Sequence, residues 1–311
     1  MKRTYSLILL MLCLLLASCS SEKEKTFVED EATKVVAFDP IQVKGLNATL
    51  ESYKMTYMSE GEEALAYVTL PEKEGSYPVN LSLHGGFPAS KDLSHVSDMM
   101  GVTFDKNMVL YSASPGLISL VPLYRGYGES AGTVPGLNGA TLDTSHAIDA
   151  LTSYLEKNEK RKRTGKVFVS GTSLGGGVGL KLATIRDDIA DVVAISPYVG
   201  LDPVYPWLLE NPDKDIGFLD MYQDAYGDYD PKSEQTKEES INVKKINVPV
   251  LIVQGDADRH TDWHPVKNFY DELKKENDNT TFELIPDGNH GLMNKQEELN
   301  AITAAWFNEQ F

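Results

Sequence analysis

The stretch KVFVSGTSLGGGVGLKLATIR, Lys166 to Arg186, joins a short apolar strand to a proline-free helical run through Gly171-Thr-Ser-Leu-Gly175. G-x-S-x-G at such a junction puts a serine on a sharp turn, and its glycines let strand and helix approach without a β-carbon clash. A second match, GESAG at Gly128 to Gly132, fails the same test. The strand before it ends near Leu123, YRGYG is left as loop, and Pro135 stands where a following helix needs an interior amide. Ser173, not Ser130, is therefore the candidate nucleophile. A phosphate loop does not fit: no Lys-Ser/Thr pair follows, and Leu180 stands where a dinucleotide fingerprint needs Gly or Ala.

Outward from this junction, apolar runs alternate with helical stretches from Tyr77 on, the signature of βαβ units and a parallel sheet. Strands are expected at Val79 to Leu83, Ile118 to Leu123, Val167 to Ser170, Val192 to Ile195, Val250 to Gln254 and Phe282 to Ile285. Helices are expected at Thr144 to Lys157, Pro265 to Lys275 and Lys295 to Asn308. Upstream, VVAFDPIQV, ATLESYKMTYM and EALAYVTLP read as antiparallel strands, the last with the clearest alternation. Residues 198–241 break the pattern with a segment rich in aromatics, acids, Gly and Pro, read as a packed cap over the carboxyl ends of the strands.

A serine hydroxyl needs a base to take its proton and a carboxylate to orient that base. Both are expected after the serine, acid first. LIVQGDAD ends a strand with Asp256 and Asp258, and LIPDGNHG ends the next with His290. Of six histidines, His84 and His95 precede the serine, His146 lies in a helix, and His260 and His264 follow the acid, which leaves His290 as the base. In LSLHGGFP the paired glycines let amides turn toward a developing oxyanion, so Gly86 or Phe87, with Leu174 N–H, are the expected donors. GDADRHTDWH alternates like Ca²⁺ ligands, but an EF-hand register puts Thr261 where Gly is needed and Lys267 where Glu is needed. No metal and no cofactor are expected.

The chain of 311 residues, 41% hydrophobic, is long enough for one large core, and its formal charge of −17 argues against a nucleic-acid partner. Residues 1–18 carry Lys2-Arg3, an apolar run and Leu16-Ala17-Ser18 before Cys19, the pattern of a lipoprotein leader with Cys19 as the lipidated residue. Residues 19–34 then read as a flexible tether and 35–311 as the domain. The only cysteines, Cys13 and Cys19, lie in the leader region, so the domain has no disulfide.

Across roughly Val79 to Phe311, HGG, YRGYGES, GTSLGG, VPVLIVQGDAD and DGNHG together resemble the α/β-hydrolase superfamily. Within it the domain looks most like prolyl oligopeptidase-type serine peptidases and related esterases, through the doubled Gly of GTSLGG and the G-x-x-D of GDAD. The resemblance implies an α/β-hydrolase fold: a mostly parallel doubly wound sheet with N-terminal antiparallel strands and a cap insertion. It makes Asp258, not Asp256, the acid. It implies hydrolysis of a small ester or short peptide substrate through an acyl-enzyme, while the likeness of the leader to those of bacterial lipoproteins implies a membrane anchor at Cys19. Leu174 replaces the aromatic common after the serine, and RHTDWHPV replaces the usual Val-Pro after the acid, which favours esters. A silent binding protein of the same fold is the contrary class, and a full Ser-His-Asp set argues against it.

Overall fold

The computed structural model describes residues 34–87 and 104–310. The leader, Cys19 and nearly all of the tether lie outside the described residues.

Nine strands make one mixed sheet in the order β1-β2-β3-β5-β4-β6-β7-β8-β9. They are β1 (Val35–Ile41), β2 (Leu50–Ser59), β3 (Glu62–Pro71), β4 (Gly75–Leu83), β5 (Ile118–Leu123), β6 (Arg161–Thr172), β7 (Ile189–Ile195), β8 (Val250–Gly255) and β9 (Thr280–Ile285). The pairs β1–β2, β2–β3 and β3–β5 are antiparallel, and every pair from β5 through β9 is parallel. All six expected parallel strands form, and so do the three antiparallel ones. One detail differs: β3 is buried on both faces from Ala64 on, so its alternation marks no solvent face, whereas β2 alternates.

Period-2 geometry sorts the side chains of the parallel strands into two cores. Val192, Ala194, Val250 and Ile252 join the larger one, beneath helices α1 (Gly136–Asn158), α2 (Leu174–Leu182) and α6 (Trp263–Glu276). Val193, Leu251, Val253 and Ile285 join the other, beneath the C-terminal helix α7 (Gln296–Gln310) through Leu299, Ile302, Trp306 and Phe307. Between β7 and β8, residues 198–241 form three short helices, α3 (Leu201–Glu210), α4 (Phe218–Tyr226) and α5 (Glu234–Glu238). Among the described residues no helix is long and apolar enough to cross a membrane.

Helix α1 begins eight residues before its expected start, right after Pro135. Gly136 and Gly139 weaken the local helical signal. The missing stabilisation comes from elsewhere in the chain: Glu239, at the end of α5, accepts Leu137 N–H at 2.7 Å and caps the helix in place of a local side chain.

The end of β7 away from the serine carries a buried acid. Asp191 Oδ2 accepts the Trp306 indole N–H at 3.1 Å, while its Oδ1 has no partner. Burial raises this carboxyl to about 6, against the smaller opposing effects of the Trp306 and backbone hydrogen bonds. The folded state thus holds the proton more tightly, so the group's contribution is full below about pH 4 and is lost as pH rises through 6. Asp191→Asn is expected to stabilise the fold by about 1–3 kcal/mol near pH 8 and by little near pH 4. Denaturant midpoints at the two pH values test this, and a lower midpoint for the variant near pH 8 would refute it.

Candidate active site

Ser173 sits between β6 and α2 with φ 59° and ψ −121°, a left-handed conformation that side chains seldom adopt. The surroundings make this turn possible. A β-carbon at Gly171 would overlap the Gly175 carbonyl, and one at Gly175 would overlap that of Leu83, so both glycines let α2 lie against β4 and β6. The turn is also tied to the next strand, by Ser173 N–H to Ile195 C=O at 2.9 Å and Tyr198 N–H to Ser173 C=O at 2.9 Å. The sheet order reverses direction at β4, so the loops after β4 and β6 diverge around this point, where open α/β sheets bind ligands.

Ser130 has a different position. It is buried, its Oγ accepts Leu65 N–H at 2.9 Å and donates to Leu123 C=O at 2.9 Å, and so it bridges the ends of β3 and β5. GESAG is a structural turn.

The loops after β8 and β9 carry the other two groups. Any β-carbon at Gly255 would overlap the Gly288 carbonyl, so these two glycines bring the loops into contact. His290 Nδ1 lies 2.9 Å from Asp258 Oδ2 and 3.1 Å from Oδ1. The carboxylate can only accept, so the proton is on Nδ1 and Nε2 is left with its lone pair. Asp258 Oδ1 also accepts the amides of His260 (2.9 Å) and Thr261 (3.0 Å), and Oδ2 accepts Thr261 Oγ1 (2.9 Å) and Gln254 Nε2 (3.2 Å). Burial alone would raise this carboxyl, but the His290 hydrogen bond and charge and the two amides outweigh it and hold it below its usual range. Asp256 faces the other way, accepting Asp287 N–H at 2.7 Å to pin the β9 loop.

On the opposite side, the loop after β4 runs His84-Gly85-Gly86-Phe87. Phe87 N–H donates to Tyr127 Oη at 2.9 Å, and Tyr127 O–H donates to Phe87 C=O at 3.2 Å. Of the two expected loop donors, Phe87 is thereby engaged within the protein, which corrects its assignment and leaves Gly86 N–H. Leu174 N–H, first in α2, has no helical carbonyl ahead of it. His84 is buried against Phe104, Tyr124 and Tyr127, its Nδ1 2.7 Å from Gly85 O, and burial lowers it to about 4, so it stays neutral.

Ser173, His290 and Gly86 all line one cavity of about 340 Å³. Its far wall is apolar and comes from the 198–241 insertion: Val204, Trp207, Leu208, Phe218 and Tyr222. Asp258, His260 and His290 each offer a possible ligand atom within 4.8 Å of one another, but the Asp258 oxygens are already taken by the donors above, the arrangement of an orienting carboxylate. Thr261, Gln254 and Tyr127 escaped the sequence reading. Thr261 and Gln254 lie within four residues of Asp258, yet neither type signals an acid's support, and Tyr127 acts from a separate loop.

A model of the prolyl oligopeptidase family matches residues 141–311. No curated protein sequence matches the chain. Among solved structures, acetyl xylan esterase 1 from Thermoanaerobacterium sp. aligns at 20% identity and a TM-score of 0.57, over 85% of this chain and 86% of that one. An esterase from Pyrococcus furiosus aligns at 18% identity and a TM-score of 0.57, over 88% and 98%. Acylaminoacyl peptidase from Pyrococcus horikoshii aligns at 20% identity and a TM-score of 0.63, over 85% of this chain but 42% of that one. At these identities the likeness is one of fold.

Proposed function

The chain belongs to the prolyl oligopeptidase family and is a serine hydrolase of the α/β-hydrolase fold, and from that premise we propose that it is an esterase acting on short acyl esters through Ser173. Ser173 Oγ attacks the carbonyl while His290 Nε2 takes its proton, Asp258 holds the Nδ1–H and steadies the imidazolium, and the amides of Leu174 and Gly86 receive the oxyanion. His290 then returns the proton to the leaving oxygen. Water attacks the acyl-enzyme by the same route in reverse. The observation that carries this reading is the shared cavity, in which a serine on a left-handed turn and an imidazole held by a buried carboxylate face one small space.

Ester rather than peptide follows from the leaving group and the space. A phenolate or alkoxide leaves with little help, whereas an amine must be protonated as the intermediate collapses. A cavity of about 340 Å³ under an aromatic wall suits a short acyl or aryl group, and among the described residues no strand lines it to hold a peptide in register. Short-acyl nitrophenyl esters are expected to show kcat/KM at least about 100-fold above matched aminoacyl anilides, a difference of about 2.7 kcal/mol in barrier. An anilide turned over as well as the best ester would replace this reading with a peptidase.

The location is part of the same proposal: a lipid on Cys19 holds the domain at a bacterial membrane, with residues 20–34 as the tether. Cys19→Ala is expected to move the protein from the detergent phase to the aqueous phase on phase separation. Unchanged partitioning would remove the anchor.

A further inference from the structure

Five arginines fall among the described residues, and four are committed to carboxylates: Arg125 to Asp143, Arg161 to Glu51 and Glu159, Arg163 to Asp188, and Arg186 to Asp149 and Asp188. Arg259 is the exception. It follows the candidate acid directly, lines the cavity, and has no carboxylate partner among the described residues. Lys214, from the insertion, lines the same cavity, with only the exposed Asp213 beside it at 3.9 Å. The negative groups that share the lining region are already engaged. Asp262 Oδ1 accepts His264 N–H at 2.9 Å to cap α6 and lies 2.6 Å from His264 Nδ1, and Asp258 is buried among its donors. In a chain of formal charge −17, whose field repels anions, one small apolar cavity thus holds two cations free to meet one.

We propose that the substrate is an ester with an apolar body and a carboxylate, the carboxylate being met by Arg259 and Lys214 beside the reacting carbonyl. This rests on the acyl-transfer reading above. A guanidinium takes a carboxylate in a two-point fork, and because Arg259 and Lys214 are both exposed the pairing is open to screening by salt. The charge can sit on the acyl side or on the leaving group, and two substrate pairs separate these cases. One is 4-nitrophenyl glutarate monoester against 4-nitrophenyl pentanoate; the other is 4-carboxyphenyl butyrate against 4-carbamoylphenyl butyrate. Corrected for alkaline reactivity, the anionic member of one pair is expected to be favoured by about 10-fold or more. In Arg259→Gln that ratio is expected to fall about 10-fold, in Lys214→Gln less, and in wild type it should shrink as salt is raised. Preference for the neutral member in both pairs, or a ratio that survives Arg259→Gln, overturns the proposal. Failure of every ester would instead strike the hydrolase reading. Calorimetry of glutarate against its monoamide then still decides the anion site, since tighter binding of glutarate, lost in Arg259→Gln, supports it and equal binding overturns it.

A separate observation carries a second inference. Tyr127 is fully buried, and its hydroxyl both accepts from and donates to the backbone of Phe87, while a β-carbon at Gly86 would overlap that hydroxyl. We infer that Tyr127 is a positioning residue: by fixing the Gly86–Phe87 peptide, the plane next to the one that carries Gly86 N–H, it limits rotation about Gly86 and so helps aim that N–H at the oxyanion. Tyr127→Phe keeps the ring packed on Phe104 and Tyr124 but removes both bonds. It is expected to lower kcat about 10- to 100-fold with KM within about twofold, and to weaken a boronic acid inhibitor in parallel. A loss of thermal stability with kcat and inhibitor affinity unchanged reduces Tyr127 to a packing role and overturns the inference.

Discussion

Ser173→Ala is expected to lower kcat/KM for the best ester by about 10⁴- to 10⁶-fold, because among the described hydroxyls of the cavity Ser173 alone stands on the strand-to-helix turn, whereas Thr261 Oγ1 is held by Asp258 and by Ser196, and Tyr198 and Tyr222 are buried phenols. The residual rate reflects binding and the oxyanion donors alone. A fluorophosphonate is expected to label wild type and Ser130→Ala but not Ser173→Ala. Ser130→Ala serves as a demanding control, because it leaves the Leu65 amide and the Leu123 carbonyl without their partner and so costs about 1–3 kcal/mol of stability. It should melt earlier and still be labelled. Labelling retained in Ser173→Ala would sink the site assignment.

Asp258→Asn is expected to cost about 10³- to 10⁴-fold in kcat with the fold intact. An amide nitrogen turned toward His290 Nδ1 donates to it, which drives the imidazole proton onto Nε2, the atom that must accept from Ser173. Turned the other way, the same nitrogen opposes the His260 and Thr261 amides that Oδ1 now accepts. Asp256→Asn, two residues away, is expected to change kcat less than about 10-fold, since its role is to hold the Asp287 amide. Equal losses in the two variants would mean the acid has been misassigned. Because Asp258 is held below the usual carboxylate range, it stays ionised and keeps its hold on Nδ1–H until the pH falls below that range.

Local chemistry in the chain was enough to choose between two serines. Gly171 and Gly175 flank a strand that leads straight into a proline-free helix, and the steric demand of that junction is local, so it is written in consecutive residues. The same holds for the parallel strands β7 and β8, which are apolar on both faces, and for His290, which ends a strand after the acid. Asp258 was less legible. Two aspartates a residue apart on one loop differ only in which way the loop turns them, and sequence separated them through family likeness alone.

Folding decided whatever depends on groups distant in the chain. Phe87 N–H is withdrawn from the oxyanion site by Tyr127, 40 residues on, and the first turns of α1 are held by Glu239, about 100 residues on. No periodicity or spacing encodes such pairs, because a hydrogen bond across loops is set by where two backbones cross. The cavity is of the same kind: Trp207, Phe218 and Tyr222 read in sequence only as an aromatic-rich insertion, and two short helices, α3 and α4, bring them to the cavity of Ser173. Arg259 is one more charge on a polar loop until the fold leaves it beside that cavity, while the other described arginines find carboxylates. Residue types set which chemistry is available, and the packing of loops at the carboxyl ends of the strands sets which atoms meet.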